Sequence, residues 1–320
     1  MVAPGPAAGS AVATPVAAIP VVGARTGRAP GSKLITPYLF LAPFFVVYSV
    51  FLLYPVVEAF RLSFLDKTGI SAGRYIGTEN YRDLFTDERY LKALLNTTIY
   101  ALGSVFILSP LALLLALAVR SFVVPSANMQ SFYRIAFFLP NITSFVVIAL
   151  MFGLVFDQNY GLLNTFLDSV GLPTYNWLRS ETLALPSIII VAIWTYLGLN
   201  SLYFLAGLQT IPEELTEAAM LDGASRWSVF RDVTLPLLRP TILFVVVQAI
   251  IFSYQIFEIP FLLTGGGPSD ASLTLAIYLY QVGFQEFEQG YAAAIGYSLA
   301  LISILLAGLQ LLLFRAFSED

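Results

Sequence analysis

The sequence predicts an all-α membrane protein with six transmembrane helices and a cytoplasmic helix-turn-helix between the fourth and the fifth. Three observations carry this reading. Apolar residues fill 58% of the 320 positions and charged residues only 11%, whereas a soluble globular chain carries roughly 25% charged residues. Six stretches are apolar over the ~20 residues that a bilayer core requires: 36–62, 94–119, 132–156, 184–208, 241–263 and 291–314. Between the fourth and fifth of these, residues 217–240 form a polar island, E-A-A-M-L-D-G-A-S-R-W-S-V-F-R-D-V-T-L-P-L-L-R-P. Cys and His are both absent, which removes disulfides, thiol chemistry, Cys/His metal sites and the usual catalytic triads. The net charge of −4 is small and spread out, with no basic footprint for nucleic acid.

Residues 1–33 are rich in Ala, Pro, Val and Gly, with Arg25, Arg28 and Lys33 as their only charges. Prolines interrupt this stretch and the basic residues come just before the first apolar run, the reverse of a signal peptide. It reads as a disordered cytoplasmic tail before a retained first span, leaving 34–320 as the six-span domain. Within the spans, Pro43, Pro55, Pro110 and Pro140 predict kinks, tolerated in a bundle whose neighbours re-satisfy freed carbonyls. Glu58 and Arg61 are three residues apart and predict a local ion pair.

The connections set the orientation. Residues 120–134 carry Arg120 and Arg134 and no acid, while 264–290 carry Asp270, Glu286 and Glu288 and no base. With the basic tail, this places the N-terminus, 120–134, 209–240 and the C-terminus with Arg315 in the cytoplasm. The 63–93 loop is mixed in charge. Within it, Gly77 to Phe85, G-T-E-N-Y-R-D-L-F, predicts a turn and a short helix capped by Asn80, with Tyr81, Leu84 and Phe85 on one face. The glycines 265–267 read as a helix stop, because a phosphate-binding loop needs a Lys and Ser/Thr where Pro268 follows here.

In the 209–240 segment, Thr210 followed by Pro212, Glu213 and Glu214 predicts a helix start. Leu215, Ala218, Ala219 and Asp222 then share one side, and Gly223 ends the helix in a left-handed conformation. Ser225 caps a second helix through Trp227 and Phe230 to Val233, stopped by Pro236. A plain inter-span connector would also be capped and amphipathic, but the fixed spacing here is more than connector duty demands.

Polar groups inside spans are costly and face cavities or other helices. In the fifth span Gln248, Phe252, Gln255 and Glu258 recur at helical spacing on one stripe, with Ser253 and Tyr254 beside it. The fourth span adds Trp194, Thr195, Gly198, Asn200 and Ser201 near its middle. Amides, a ring and an acid suit a polyhydroxylated solute. Interhelical packing is the competing reading for any one of these residues.

The spacing Glu217-Ala218-Ala219, Gly223, Val233, Leu235-Pro236 resembles the cytoplasmic loop of ABC importer permeases. Gly77–Phe85 and Leu263–Pro268 (L-T-G-G-G-P) are similar to segments of the carbohydrate-uptake branch of that family. The resemblance covers about 35–315 and implies the type I importer permease fold. Glu217, Ala218, Ala219, Asp222 and Gly223 would then belong to the coupling helix that docks on an ATPase. It also implies a second permease chain, similar to this one or a copy of it, two ATPase subunits holding ATP and Mg, and an extracytoplasmic solute-binding protein. The chain itself would be a transport subunit in a bacterial or archaeal cell membrane, with no cofactor and no enzymatic activity, and its solute a sugar, oligosaccharide or related polyol. Glycerol-phosphate, amino-acid or peptide import is the runner-up, and no span has Lys or Arg near its centre for a phosphate. An ion-coupled secondary transporter is a third reading, for which no internal repeat or buried charge relay is visible.

Overall fold

Length and hydropathy place the helices, and prolines shape them. A computed structural model describes residues 36–120 and 127–316. The predicted tail, the middle of the 120–134 loop and the last four residues lie outside the described residues. The chain divides between Tyr54 and Pro55 into two compact units.

The N-terminal unit contributes α1 (Thr36–Tyr48), with Pro43 inside it, and the wide π-type turn Ser49–Leu53. The second unit begins within α2 (Tyr54–Leu62). A two-stranded ribbon, β1 (Leu65–Asp66) with β2 (Arg74–Tyr75), and the short α3 (Glu79–Asp83) follow. Next come α4 (Glu88–Gly103) and α5 (Ser109–Arg120), joined by a π-turn at Ser104–Leu108, then α6 (Ala127–Ile142), α7 (Phe145–Val155) and α8 (Leu162–Ser169). The long α9 (Ala184–Gln209) leads to α10 (Glu213–Leu221), α11 (Arg226–Val229), a π-turn at Phe230–Thr234, α12 (Leu235–Leu237) and α13 (Arg239–Tyr254). Last are α14 (Glu258–Thr264), α15 (Leu275–Tyr280), a π-turn at Gln281–Gln285 and α16 (Gln289–Ala316).

Four helices among the described residues are long and apolar enough to cross a membrane: Tyr38–Leu62, Glu88–Arg120, Ala184–Gln209 and Gln289–Leu312. Two bent pairs, Ile135–Ile142 with Phe145–Val155 (103°) and Arg226–Leu237 with Arg239–Tyr254 (66°), raise the number to as many as six.

Three π-turns share a cause. Pro55, Pro110 and Pro236 have no N–H for the carbonyl four residues back, and their rings crowd it. In each case the wide turn lies just upstream, and the residue before the proline donates five residues back: Tyr54 to Ser49, Ser109 to Ser104, Leu235 to Phe230. The helix widens instead of stopping. Two expectations are corrected by this. Pro236 does not end its helix; the 66° bend falls at Leu238. Pro140 lies inside α6, and the third span breaks at Ser144, whose extended backbone (ψ 133°) turns the chain into α7.

The helices of the second unit pack as α5 and α6 on α9, α13 on α16 and α4, and α14 on α7 and α9. At Gly198 of α9 an added Cβ would lie 1.8 Å from the Phe137 carbonyl oxygen of α6. Only glycine lets that backbone come so near.

Asn80 does not cap its helix. Thr78 takes the cap position without a side-chain bond, and the buried Asn80 amide instead donates to the carbonyls of Ser63 (2.9 Å) and Leu65 (3.0 Å). Leu84 is buried and Tyr81 donates to Ser63 Oγ (2.7 Å), but Phe85 points outward and leaves the predicted face. The Glu58–Arg61 pair forms, with Arg61 Nε 2.9 Å from Oε2.

The 264–290 segment is clamped to the start of α4. Asp87 caps α4 by accepting from the backbone of Arg89 and Tyr90, and its other oxygen accepts from Tyr278 and from Tyr291 (2.6 Å). Arg89 binds Asp270 (2.9 Å) and Gln281 (2.8 Å), and Asn96 donates to the carbonyls of Asp270 and Leu273. Burial pushes the Asp87 carboxyl up, but the two phenol donors and the two backbone N–H groups outweigh it and hold it below the usual carboxylate range. Its stabilising contribution is therefore present above the unfolded value, about 3.9, and is lost as pH falls through the lower folded value. Asp87→Asn is expected to cost about 1–2 kcal/mol through the lost bonds. Thermal melts below pH 5 check this: the wild type should lose that margin as the pH falls below about 4, and the variant should show no such step.

Candidate functional site

The fifth span is interrupted where the sequence expects a continuous stripe. α13 ends at Tyr254, residues Gln255–Phe257 are non-helical, and α14 restarts at Glu258. The cause lies two residues further on. Pro260 has no N–H for the Ile256 carbonyl, and the Thr274 hydroxyl takes that acceptor at 3.1 Å. Gln248, Phe252, Gln255 and Glu258 are therefore not on one helix. The break still brings them together, because irregular backbone at membrane depth is tolerated where it lines a cavity.

That cavity measures about 340 Å³. One wall is the Gln248–Glu258 segment, with Ser253 and Ile256 alongside. Asn200, Tyr196 and Leu199 of α9, Tyr100 of α4, Ser104 and Leu108 of the adjoining π-turn and Phe145 of α7 complete it. Tyr100 and Ser104 are buried, whereas Phe252, Gln255 and Glu258 are exposed at the rim of this single chain. Asn200 Nδ2 donates to Tyr196 O (2.9 Å) and Gln248 Nε2 to Tyr203 Oη (3.2 Å). Gln248 Oε1 is buried and accepts no hydrogen bond among the described residues. An unpaired buried acceptor costs about 1–3 kcal/mol, which makes it a group poised for a ligand hydroxyl or water.

Of the predicted path residues, Asn200, Gln248, Phe252, Gln255 and Glu258 line this cavity; Trp194, Thr195 and Ser201 do not. Trp194 packs edge-on against Phe152, 5.2 Å between ring centres. The Thr195 and Ser201 hydroxyls turn back to carbonyls of their own helix, Val191 (2.8 Å) and Gly198 (2.7 Å). Tyr254 points elsewhere, its hydroxyl 3.0 Å from Thr98 Oγ1. Tyr100, Ser104, Tyr196 and Phe145 went unnoticed in the sequence. The i, i+4 spacing of Tyr100 with Ser104, and of Tyr196 with Asn200, is the signal that could have found them.

At the other feature singled out by the sequence, α10 buries none of its residues. Glu217, Ala218, Asp222 and Gly223 are exposed and Ala219 half-buried. Leu221 and Trp227 are 88% and 67% exposed, an apolar surface beside the small-residue face. Thr210 does not start this helix: its hydroxyl closes α9 by donating to Gly207 O (2.8 Å), and Pro212 takes the cap position. Gly223 has φ +87°. Its N–H donates to Met220 O (3.1 Å) and that of Ala224 to Ala219 O (3.0 Å), the paired bonds of a Schellman stop. Ser225 Oγ accepts from Ser228 N (3.2 Å) and starts α11.

Residues 69–319 match the family described as binding-protein-dependent transport system inner membrane component. The chain belongs to this family. Among similar permeases, the arabinooligosaccharides transport system permease protein AraP of Bacillus subtilis (strain 168) is 37% identical over 90% of this chain and 91% of its own length. The lactose transport system permease protein LacF of Rhizobium radiobacter is 32% identical over 86% of this chain and 93% of its own. A chain of a bacterial alginate ABC transporter, solved in complex with an alginate pentasaccharide-bound periplasmic protein, superposes with a TM-score of 0.79. It shares 25% sequence identity, covering 90% of this chain and 98% of that one. This permease is thus a transport component of the inner membrane.

Proposed function

We propose that the chain is the permease subunit of an ATP-driven, binding-protein-dependent ABC importer for a sugar, oligosaccharide or related polyol. The cavity at the interrupted fifth span carries this reading. A discontinuous helix with an unpartnered amide oxygen, in an otherwise apolar bundle, is how transporters build a midplane solute site. Gln248, Gln255, Asn200 and Glu258 offer acceptors and donors to hydroxyls, and Phe252 offers a face to a sugar ring. The relatives named for arabinooligosaccharides, lactose and alginate support the same solute class. The cavity holds an acid and no base, which disfavours glycerol-phosphate.

In this reading the pair Ile135–Ile142 with Phe145–Val155 crosses the membrane once as the third span and α13 with α14 forms the fifth, making six spans, with both termini, 120–134 and 209–240 in the cytoplasm. The domain is 34–320, preceded by a cytoplasmic tail. A second permease chain covers the exposed rim at Phe252, Gln255 and Glu258. Glu217, Ala218, Ala219, Asp222 and Gly223 are the docking surface for one of two ATPase subunits, which hold ATP and Mg; this chain holds no cofactor. The solute-binding protein meets the 63–93 and 264–290 segments. Reconstitution tests the assignment. Uptake of sugar into proteoliposomes is expected to need ATP, the ATPase and the binding protein together, and Ala218→Cys should cross-link to the ATPase. Solute movement by the purified chain alone, or no cross-link, would refute it.

A further inference from the structure

A second cavity, about 460 Å³, lies at the far ends of the two helices that border the first. α7 begins at Phe145 in the first cavity, and Gly153 in its last turn and Phe156 just after it line the second. α14 begins at Glu258 in the first and ends at Leu263 and Thr264 in the second. The two helices pack against each other. At 1.5 Å per residue, the two cavities are about 9–12 Å apart along them, more than the length of one sugar ring.

The second cavity is polar and its frame is braced. Asn164, 3% exposed, donates to the carbonyls of Asp157 (3.3 Å), Gln158 (3.1 Å) and Tyr175 (2.8 Å), and accepts from Tyr175 N and Trp177 Nε1. One buried amide therefore pins both segments from which the lining side chains project. Asp157 is occupied as an acceptor for the backbone of Asn159 and Tyr160 (both 2.9 Å). Those two N–H groups hold its carboxyl below the usual range. By contrast, the side chains of Gln158, Asn159 and Asn176 line the cavity and make no hydrogen bond among the described residues. The buried Phe156 ring forms part of the lining. Arg179 and Asp157 balance in charge, so the lining is neutral overall.

Free amides around an aromatic surface, with no net charge, suit the hydroxyls and the apolar face of a neutral sugar. We infer that this cavity is a separate outer carbohydrate subsite, and that together with the inner cavity it takes an oligosaccharide longer than a disaccharide. The inference rests on the function proposed above and extends it to solute length. In the proposed orientation the outer subsite receives one end of the chain while the other reaches Gln248.

The test uses the complete transporter in proteoliposomes and a pool of neutral arabino-, chito- and malto-oligosaccharides of two to six units. The lumen is analysed by mass spectrometry after ATP-driven uptake. For Gln158→Ala/Asn176→Ala, uptake of trimers and longer chains is expected to fall about tenfold relative to disaccharides, as the loss of one or two hydrogen bonds predicts. Gln255→Ala should lower all lengths alike. Gln158 is exposed and Asn176 half-buried, and an unchanged melting temperature would verify folding. An outer variant that lowers every length equally, or none, overturns the subsite. If the wild type imports nothing in the pool, the carbohydrate reading itself falls and takes the subsite with it.

Discussion

Gly223→Pro is expected to leave the protein inserted in the membrane while solute uptake falls at least about tenfold. Proline is locked near φ −65° and Gly223 sits at +87°, so the Schellman stop cannot form. The substitution also removes the N–H that binds Met220 O, and it pushes Asp222 out of its near-helical conformation (φ −75°, ψ 4°). α10 then loses its fixed direction against α11 and, in the coupling role proposed above, no longer delivers a push from the ATPase to α13. Gly223→Ala separates strain from geometry. A Cβ there meets nothing within 4 Å, so the cost is the left-handed backbone alone, about 1–2 kcal/mol, and uptake should be only partly reduced. ATP hydrolysis and uptake measured together on the reconstituted complex decide the matter. Normal uptake by the proline variant would remove α10 from force transmission.

Gln248→Leu is expected to move stability and transport in opposite directions. In the wild type Oε1 is buried without a partner among the described residues, and such a group costs about 1–3 kcal/mol. Leucine removes that cost at similar volume, at the loss of one 3.2 Å bond to Tyr203. The empty protein should therefore melt no lower, and up to several degrees higher. If Gln248 binds solute as proposed above, half-saturating solute for uptake should rise about tenfold, because a solute hydroxyl has lost its acceptor. A variant that melts lower and transports normally would make Gln248 a packing residue and nothing more.

Much of the fold and part of the site were legible in the sequence, for a local reason. The Gly223 stop, the Ser225 cap and the Glu58–Arg61 pair each depend on residues within a few positions of one another. The end of α14 at Gly265, with φ +62°, is of the same kind. Thr210 failed as a predicted cap because its hydroxyl donates back to the Gly207 carbonyl of α9 instead of accepting from the first N–H groups of α10. Asn80 failed because its partners, Ser63 and Leu65, lie some fifteen residues back in the chain. The prolines act in two different ways. Pro110 and Pro236 were absorbed by wide turns, whereas Pro260 takes part in a true interruption of the fifth span.

Tertiary contact explains that difference. Opening a helix inside a membrane leaves carbonyls without donors, and such a state persists only where another element supplies one. Thr274 supplies it to Ile256 from eighteen residues away. The apolar lengths, the polar island and the glycine turn were thus determined by the sequence alone, since burial in lipid and backbone sterics act on each segment separately. Where the fifth span opens, and which rings and amides from four other segments meet there, was decided by packing, because those groups become neighbours only when the helices assemble.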